Sequence, residues 1–160
     1  MEDQQDQLYQ QMRGEYIGRM ASLEYTLTHF IVELLGIGKR QEEFEKWFVE
    51  APIPFSYKAS LLQRLLKNDV IIKTNWPNIW KDLKELQKFR NILAHSFIGF
   101  LGYQTNRGIR VAEERVKFET LSNNLARLKE LEDTVSYMYV CVIEGPMPPI
   151  SSDDYADWPQ

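Results

Sequence analysis

The sequence predicts an all-α domain: a helical bundle of four to five helices with antiparallel neighbours and a small β-hairpin before the last helix. Three observations carry this. Apolar residues recur at steps of three and four over long stretches. Gly36, Gly38, Pro52, Pro54, Pro77, Gly145 and Pro146 punctuate those stretches. Residues 98–103 and 109–118 are rich in β-branched and aromatic residues and flank Thr105-Asn106-Arg107-Gly108, which reads as two strands and their turn.

The first helix spans about 3–35, with Leu8, Met12, Tyr16, Met20, Leu23, Leu27, Phe30, Ile31 and Leu34 in its apolar stripe and Gly36 and Gly38 as its stop. His29 projects to its polar side and reads as a surface residue. Residues 39–50 form a short helix edged by Phe44, Trp47 and Phe48. Ala51-Pro52-Ile53-Pro54 is an extended connection, because each proline moves its predecessor out of the α region. Ser56 reads as the N-cap of a helix reaching about 68, with Leu61, Leu62, Leu65 and Leu66 inward and Lys58, Arg64 and Lys67 on a solvated face. Residues 70–76 read as a connector. Pro77 suits the first turn of a helix over about 77–97. The last helix covers about 121–144. One helical domain thus occupies 1–145, and 146–160 is a Pro- and Asp-rich tail that is either loose and acidic or docks through Tyr155 and Trp158.

Composition narrows the functional classes. The 160 residues are 44% apolar and suffice for one packed core. The single cysteine, Cys141, allows no intrachain disulfide and fits a reducing compartment. The polar, acidic N-terminus is unlike a signal peptide, and the apolar run 135–143 is too short to span a bilayer, so a cytoplasmic protein without a membrane partner is expected. A net charge of −4 argues against a surface coated with phosphate contacts but leaves room for one local basic groove. Two isolated histidines and one cysteine do not make a zinc site, and no phosphate loop or dinucleotide fingerprint is present, so no metal and no cofactor are expected.

The segment of most chemical interest is Phe89-Arg90-Asn91-Ile92-Leu93-Ala94-His95-Ser96-Phe97. Ile79, Leu83, Leu86, Leu93 and Phe97 share one helical stripe, and Arg90 falls inside it. Lys81, Lys84, Lys88, Asn91 and His95 share another face. A charged group on a packing face is normally paired or used. Arg90 could snorkel to the rim of the core or pair with a carboxylate, and Glu24, at the edge of the first helix's stripe, is the proposed counter-ion. His95 could be an ordinary C-terminal histidine favoured by the helix dipole.

The string Arg90-Asn91 followed by His95 resembles the signature of HEPN domains, in which an Arg is followed by a polar residue and then by a His four to six positions beyond the Arg. The resemblance covers roughly 16–143, although only the Arg90–His95 string is a specific motif. It implies a small all-α fold, a homodimer whose active site is built from both copies of the motif, and metal-independent cleavage of an RNA substrate through its own 2′-hydroxyl. It further implies His95 as the proton-moving group, Arg90 as the cation that holds charge developing on phosphate oxygens, and Asn91 as an orienting residue. Lys88, Arg107 and Arg110 are the proposed RNA-backbone contacts, and the basic hairpin could equally be a charged edge that discourages sheet aggregation. A toxin–antitoxin or phage-defence setting follows, with an antitoxin or regulatory protein as possible partner. In a subgroup of these toxins a Tyr stands two residues after the His; here it is Phe97, which puts silencing by nucleotide attachment to that tyrosine in doubt. The competing expectations are a non-catalytic dimeric HEPN module that binds RNA, nucleotide or protein as a scaffold, and a helical interaction protein gripping a partner through its first helix and aromatic tail.

Overall fold

The computed structural model of the chain describes residues 2–36, 40–51, 53–101 and 116–145, and the side chains of 7–36, 40, 42–48, 51, 53–94 and 116–145. Six helices follow one another: α1 (Glu2–Leu35), α2 (Gln41–Glu50), α3 (Phe55–Leu65), α4 (Val70–Asn75), α5 (Ile79–Leu101) and α6 (Phe118–Ile143). No strand occurs among the described residues.

α1 is the hub. Its three- and four-step stripe buries Tyr9, Tyr16, Met20, Leu23, Leu27, Phe30 and Ile31, and it packs against α2, α3, α5 and α6. α3, α5 and α6 complete the bundle, with α3 and α6 each touching α5. Leu62, Leu66, Leu83, Leu86, Leu93, Leu121, Leu128, Val135 and Met138 fill the same core. α1 ends where the sequence expects. Gly36 adopts φ 54°, in the left-handed region a side chain disfavours, and its N–H closes back on the Val32 carbonyl at 3.3 Å.

The cross-helix contacts fix the directions. Glu15 meets Lys129, Arg19 meets Glu132, and His29 meets Tyr139, so α1 and α6 run parallel. Trp76 meets Tyr137 whereas Asp82 meets Arg127, so α5 runs antiparallel to α6. The expected antiparallel arrangement therefore holds for α5 and α6 and fails for α1 and α6.

The expected β-hairpin is corrected in the described part of both strands, since residues 116 and 117 are not strand and Phe118 opens α6. Residues 98–101 continue α5 as helix, while 102–115 lie outside the described residues. Leu93, Phe97, Phe100 and Leu101 keep the helical three- and four-residue steps, and that repeat outweighs the local β-propensity of the segment. The expected connector at 70–76 is a short helix instead. Asp69 caps it, accepting the Ile72 N–H at 2.9 Å, a signal hidden by the β-branched run that follows. α3 begins at Phe55 after Pro54, so Ser56 is inside the helix and is not its cap. α5 begins at Ile79, with Pro77 and Asn78 in the preceding turn. Leu8 and Leu65 are exposed; Tyr9 and Leu66 take the inward places beside them.

Candidate functional site

α5 presents two faces along its length. Ile79, Leu83, Leu86 and Leu93 are buried, as the stripe requires. Lys81, Lys84, Lys88 and Asn91 are exposed, as the second face requires. Arg90 lies between, half-buried, and has no carboxylate within 4.0 Å among the described residues. His95 stands on α5 one turn beyond Asn91, and its side chain lies outside the described residues. Arg107 and Arg110 also lie outside them.

The motif segment is pinned to α1 by a residue that the apolar periodicity conceals. Tyr16 is fully buried, and its ring meets Phe89 edge-on at 5.2 Å. Its hydroxyl donates to the Leu86 carbonyl at 2.9 Å. In an α-helix that carbonyl already accepts the N–H of residue 90, so Tyr16 shares the acceptor at the base of the motif. Burial pushes the Tyr16 phenol well above its usual range, against a smaller opposing pull from Arg127 and Arg90. Tyrosine within an apolar stripe is the available sign, because a buried phenol needs a hydrogen-bond partner.

Glu24 is not the counter-ion of Arg90. It accepts from Lys58 Nζ at 2.9 Å, and Lys58, expected on a solvated face, is 5% exposed. The physical reason is axial height. Glu24 lies eight residues beyond Tyr16, or about 12 Å along α1. Tyr16 is the α1 residue that meets the motif. A helical projection fixes an angle and says nothing of height. Of the three cations expected on the solvated face of a helix reaching about 68, Arg64 on α3 and Lys67 just past its end are exposed, while the charge of Lys58 holds α3 to α1.

His29 keeps a partly exposed side chain, as expected of a surface residue, and also reaches neighbours on other helices. Its Nε2 and the Tyr139 hydroxyl are 3.3 Å apart, and its Nδ1 is 3.5 Å from a Glu45 carboxylate oxygen. It therefore links α1 to α6 and lies beside α2, where its Nδ1 has no hydrogen-bond partner among the described residues. Burial, with Glu33 and Glu144 adding to it, pushes the Tyr139 phenol upward. Among the described residues no three His, Cys, Asp or Glu side chains are placed to share a metal ion. No described helix is long and apolar enough to cross a membrane.

No family model, no curated protein and no solved structure matches the chain.

Proposed function

We propose that this chain is an endoribonuclease of the HEPN kind that acts as a homodimer and cleaves RNA without a metal, in a toxin–antitoxin or defence setting. The observation that carries the reading is Arg90. A half-buried guanidinium is costly to desolvate, and folds ordinarily pair it. Arg90 has no carboxylate partner among the described residues, and the exposed Asn91 and the position of His95 follow it within two turns of α5. A planar, permanent cation left without an acid suits a phosphate. Ile92 is 57% exposed beside Asn91, an apolar spot that a second copy would cover.

The chemistry needs few groups. A 2′-hydroxyl attacks the adjacent phosphorus and gives its proton to one imidazole. The 5′-oxygen leaves and takes a proton from a second. The products are a 2′,3′-cyclic phosphate and a 5′-hydroxyl end. Two copies of His95 fill both roles, and Arg90 neutralises the phosphorus-bound oxygens as charge builds on them. Lys88, exposed one turn before Ile92, is placed for backbone contact.

The test is cleavage of a mixed RNA pool in chelator by wild type and by His95→Ala of matched purity and oligomeric state. Cutting by wild type alone, with cyclic phosphate ends, is the expected result. Equal cutting by both proteins would sink the assignment. Absence of cutting by either would favour the non-catalytic dimeric module, a reading supported by the chain's net negative charge.

A further inference from the structure

The charge of the chain is segregated. Between Phe55 and Ala94 stand eight lysines and arginines against three acidic residues, a balance of +5 in a chain whose total is −4. The acids in this stretch are occupied. Asp69 caps α4, and Asp82 and Glu85 both turn to Arg127 on α6. Lys58 is used by Glu24, and Lys81 lies 3.9 Å from Glu85. Arg64, Lys67, Lys73, Lys84, Lys88 and Arg90 have no carboxylate within 4.0 Å among the described residues.

Two of these cations rim a notch of about 290 Å³ where the end of α3, α4 and the start of α5 converge. Gln63, Lys67, Lys73, Trp76, Pro77 and Trp80 line it. Both tryptophans pack against the core and are half-buried, so their rings are held. The ring of Trp76 is further fixed edge-on by Tyr137 at 5.9 Å. The volume is small for a ligand pocket and suits a single flat ring system better than a large molecule. Held aromatic rings beside unpaired lysines are the combination by which proteins grip single-stranded nucleic acid: bases stack on the rings and phosphates meet the cations.

The notch also continues toward the motif. At about 100° per residue, Trp80, Lys84, Gln87, Lys88 and Asn91 form one stripe of α5, about 15 Å from Trp80 to Arg90. Neither carboxylate of α5 lies on that stripe.

We infer that the α3–α4–α5 notch binds one base of a single-stranded RNA by stacking on Trp76 and Trp80, with Lys67 and Lys73 on the flanking phosphates, and that the strand then runs along the Lys84–Lys88 stripe to Arg90. The choice of RNA rests on the ribonuclease reading; the notch itself does not. It makes the substrate a single strand, because a base within a duplex cannot enter.

Binding is tested by fluorescence anisotropy with a labelled 2′-O-methyl oligouridylate of about 12 nucleotides, within the usual site sizes for single strands. The 2′-O-methyl group removes the nucleophile, so binding is read apart from cleavage. Lys67→Glu combined with Lys73→Glu alters exposed side chains and is expected to weaken binding at least tenfold. Because two phosphates then go unneutralised, the slope of log affinity against log salt should flatten by about 1.4. Trp80→Ala is expected to lose roughly 5- to 150-fold, the range for one base–aromatic stack, with Trp80→Phe restoring most of it. Unchanged affinity in the charge variant, or no binding by wild type, would overturn the proposal. So would equal competition by an oligoglutamate of matched charge, which would identify an acidic peptide as the occupant. Notch-dependent binding without cleavage of ordinary RNA would keep the notch and remove the ribonuclease. Cleavage with binding indifferent to these substitutions would do the reverse.

Discussion

α1 and α6 carry four basic residues against ten acidic ones, the opposite balance to residues 55–94. The two regions also use their cations differently. Between α1 and α6, Arg19 bridges Glu15 at 3.0 Å and Glu132 at 2.7 Å, and Lys129 reaches Glu15 at 3.0 Å. Positive charge there is consumed in joining two parallel helices. On α3, α4 and α5 most of it is left facing solvent. A net charge near zero or below therefore says little about a molecule whose acids and bases sit on different helices; what counts is whether each cation has an acid within reach.

The Glu24–Lys58 pair, a buried ammonium on a half-buried carboxylate, is one of the ties between the two regions, and breaking it should have the largest effect. Glu24→Leu leaves Lys58 buried without its partner and is expected to cost about 3 kcal/mol in urea unfolding. Adding Lys58→Met should recover most of that, whereas a double variant as unstable as the single one would show that the unpaired ammonium is not the source of the loss. Tyr16→Phe comes next. It keeps the ring on Phe89 and removes one hydrogen bond to the Leu86 carbonyl, for an expected loss of about 1 kcal/mol, with faster amide exchange around residue 90. Unchanged exchange there would mean that α1 does not anchor the motif segment.

Smaller effects sharpen the description of the acidic region. Gly14 and Gly18 are exposed on α1, and a Cβ added at either meets nothing within 4 Å. Gly14→Ala and Gly18→Ala should each raise stability by about 0.5–1 kcal/mol, read as a higher urea midpoint. The pH dependence is expected to be the smallest of these effects. The Lys129 and Arg19 hydrogen bonds hold the Glu15 carboxyl below its usual range, and the Arg127 hydrogen bond does the same for Glu85. A carboxyl depressed by folding contributes stability above its unfolded value, and that contribution is lost as pH falls through the folded one. The urea midpoint should thus hold between neutrality and about pH 5 and decline below about pH 4, since an unperturbed Glu titrates near 4.3. A midpoint that rose on acidification would contradict both assignments.

The long helices are legible in the sequence because burial imposes a repeat, and α1, α5 and the buried face of α6 follow it. The stop at Gly36 is legible because only a residue without a Cβ enters that conformation easily. Other features depend on three dimensions. Glu24 and Lys58 meet through the relative height of α1 and α3, which neither helix encodes alone. His29 lies within reach of α2, a neighbour that a projection of α1 omits. α4 is concealed for a local reason, since Val70-Ile71-Ile72 looks extended and the Asp69 cap decides otherwise. At the candidate site, the two faces of α5 and the oddity of Arg90 can be read from spacing, whereas the Tyr16 anchor and the tryptophan-lined notch require the packed structure.

Because α1 runs beside α6, its buried face has to wait for the far end of the chain. α1 is complete at residue 35, and its partner ends at residue 143. At a synthesis rate of about 5–20 residues per second, the two are separated by roughly 5–20 s. Through that interval the side of α1 that α6 will cover is open to water and to other nascent chains. A ribosome-bound fragment ending before Phe118 should accordingly engage holdase chaperones, and release them once α6 has cleared the exit tunnel.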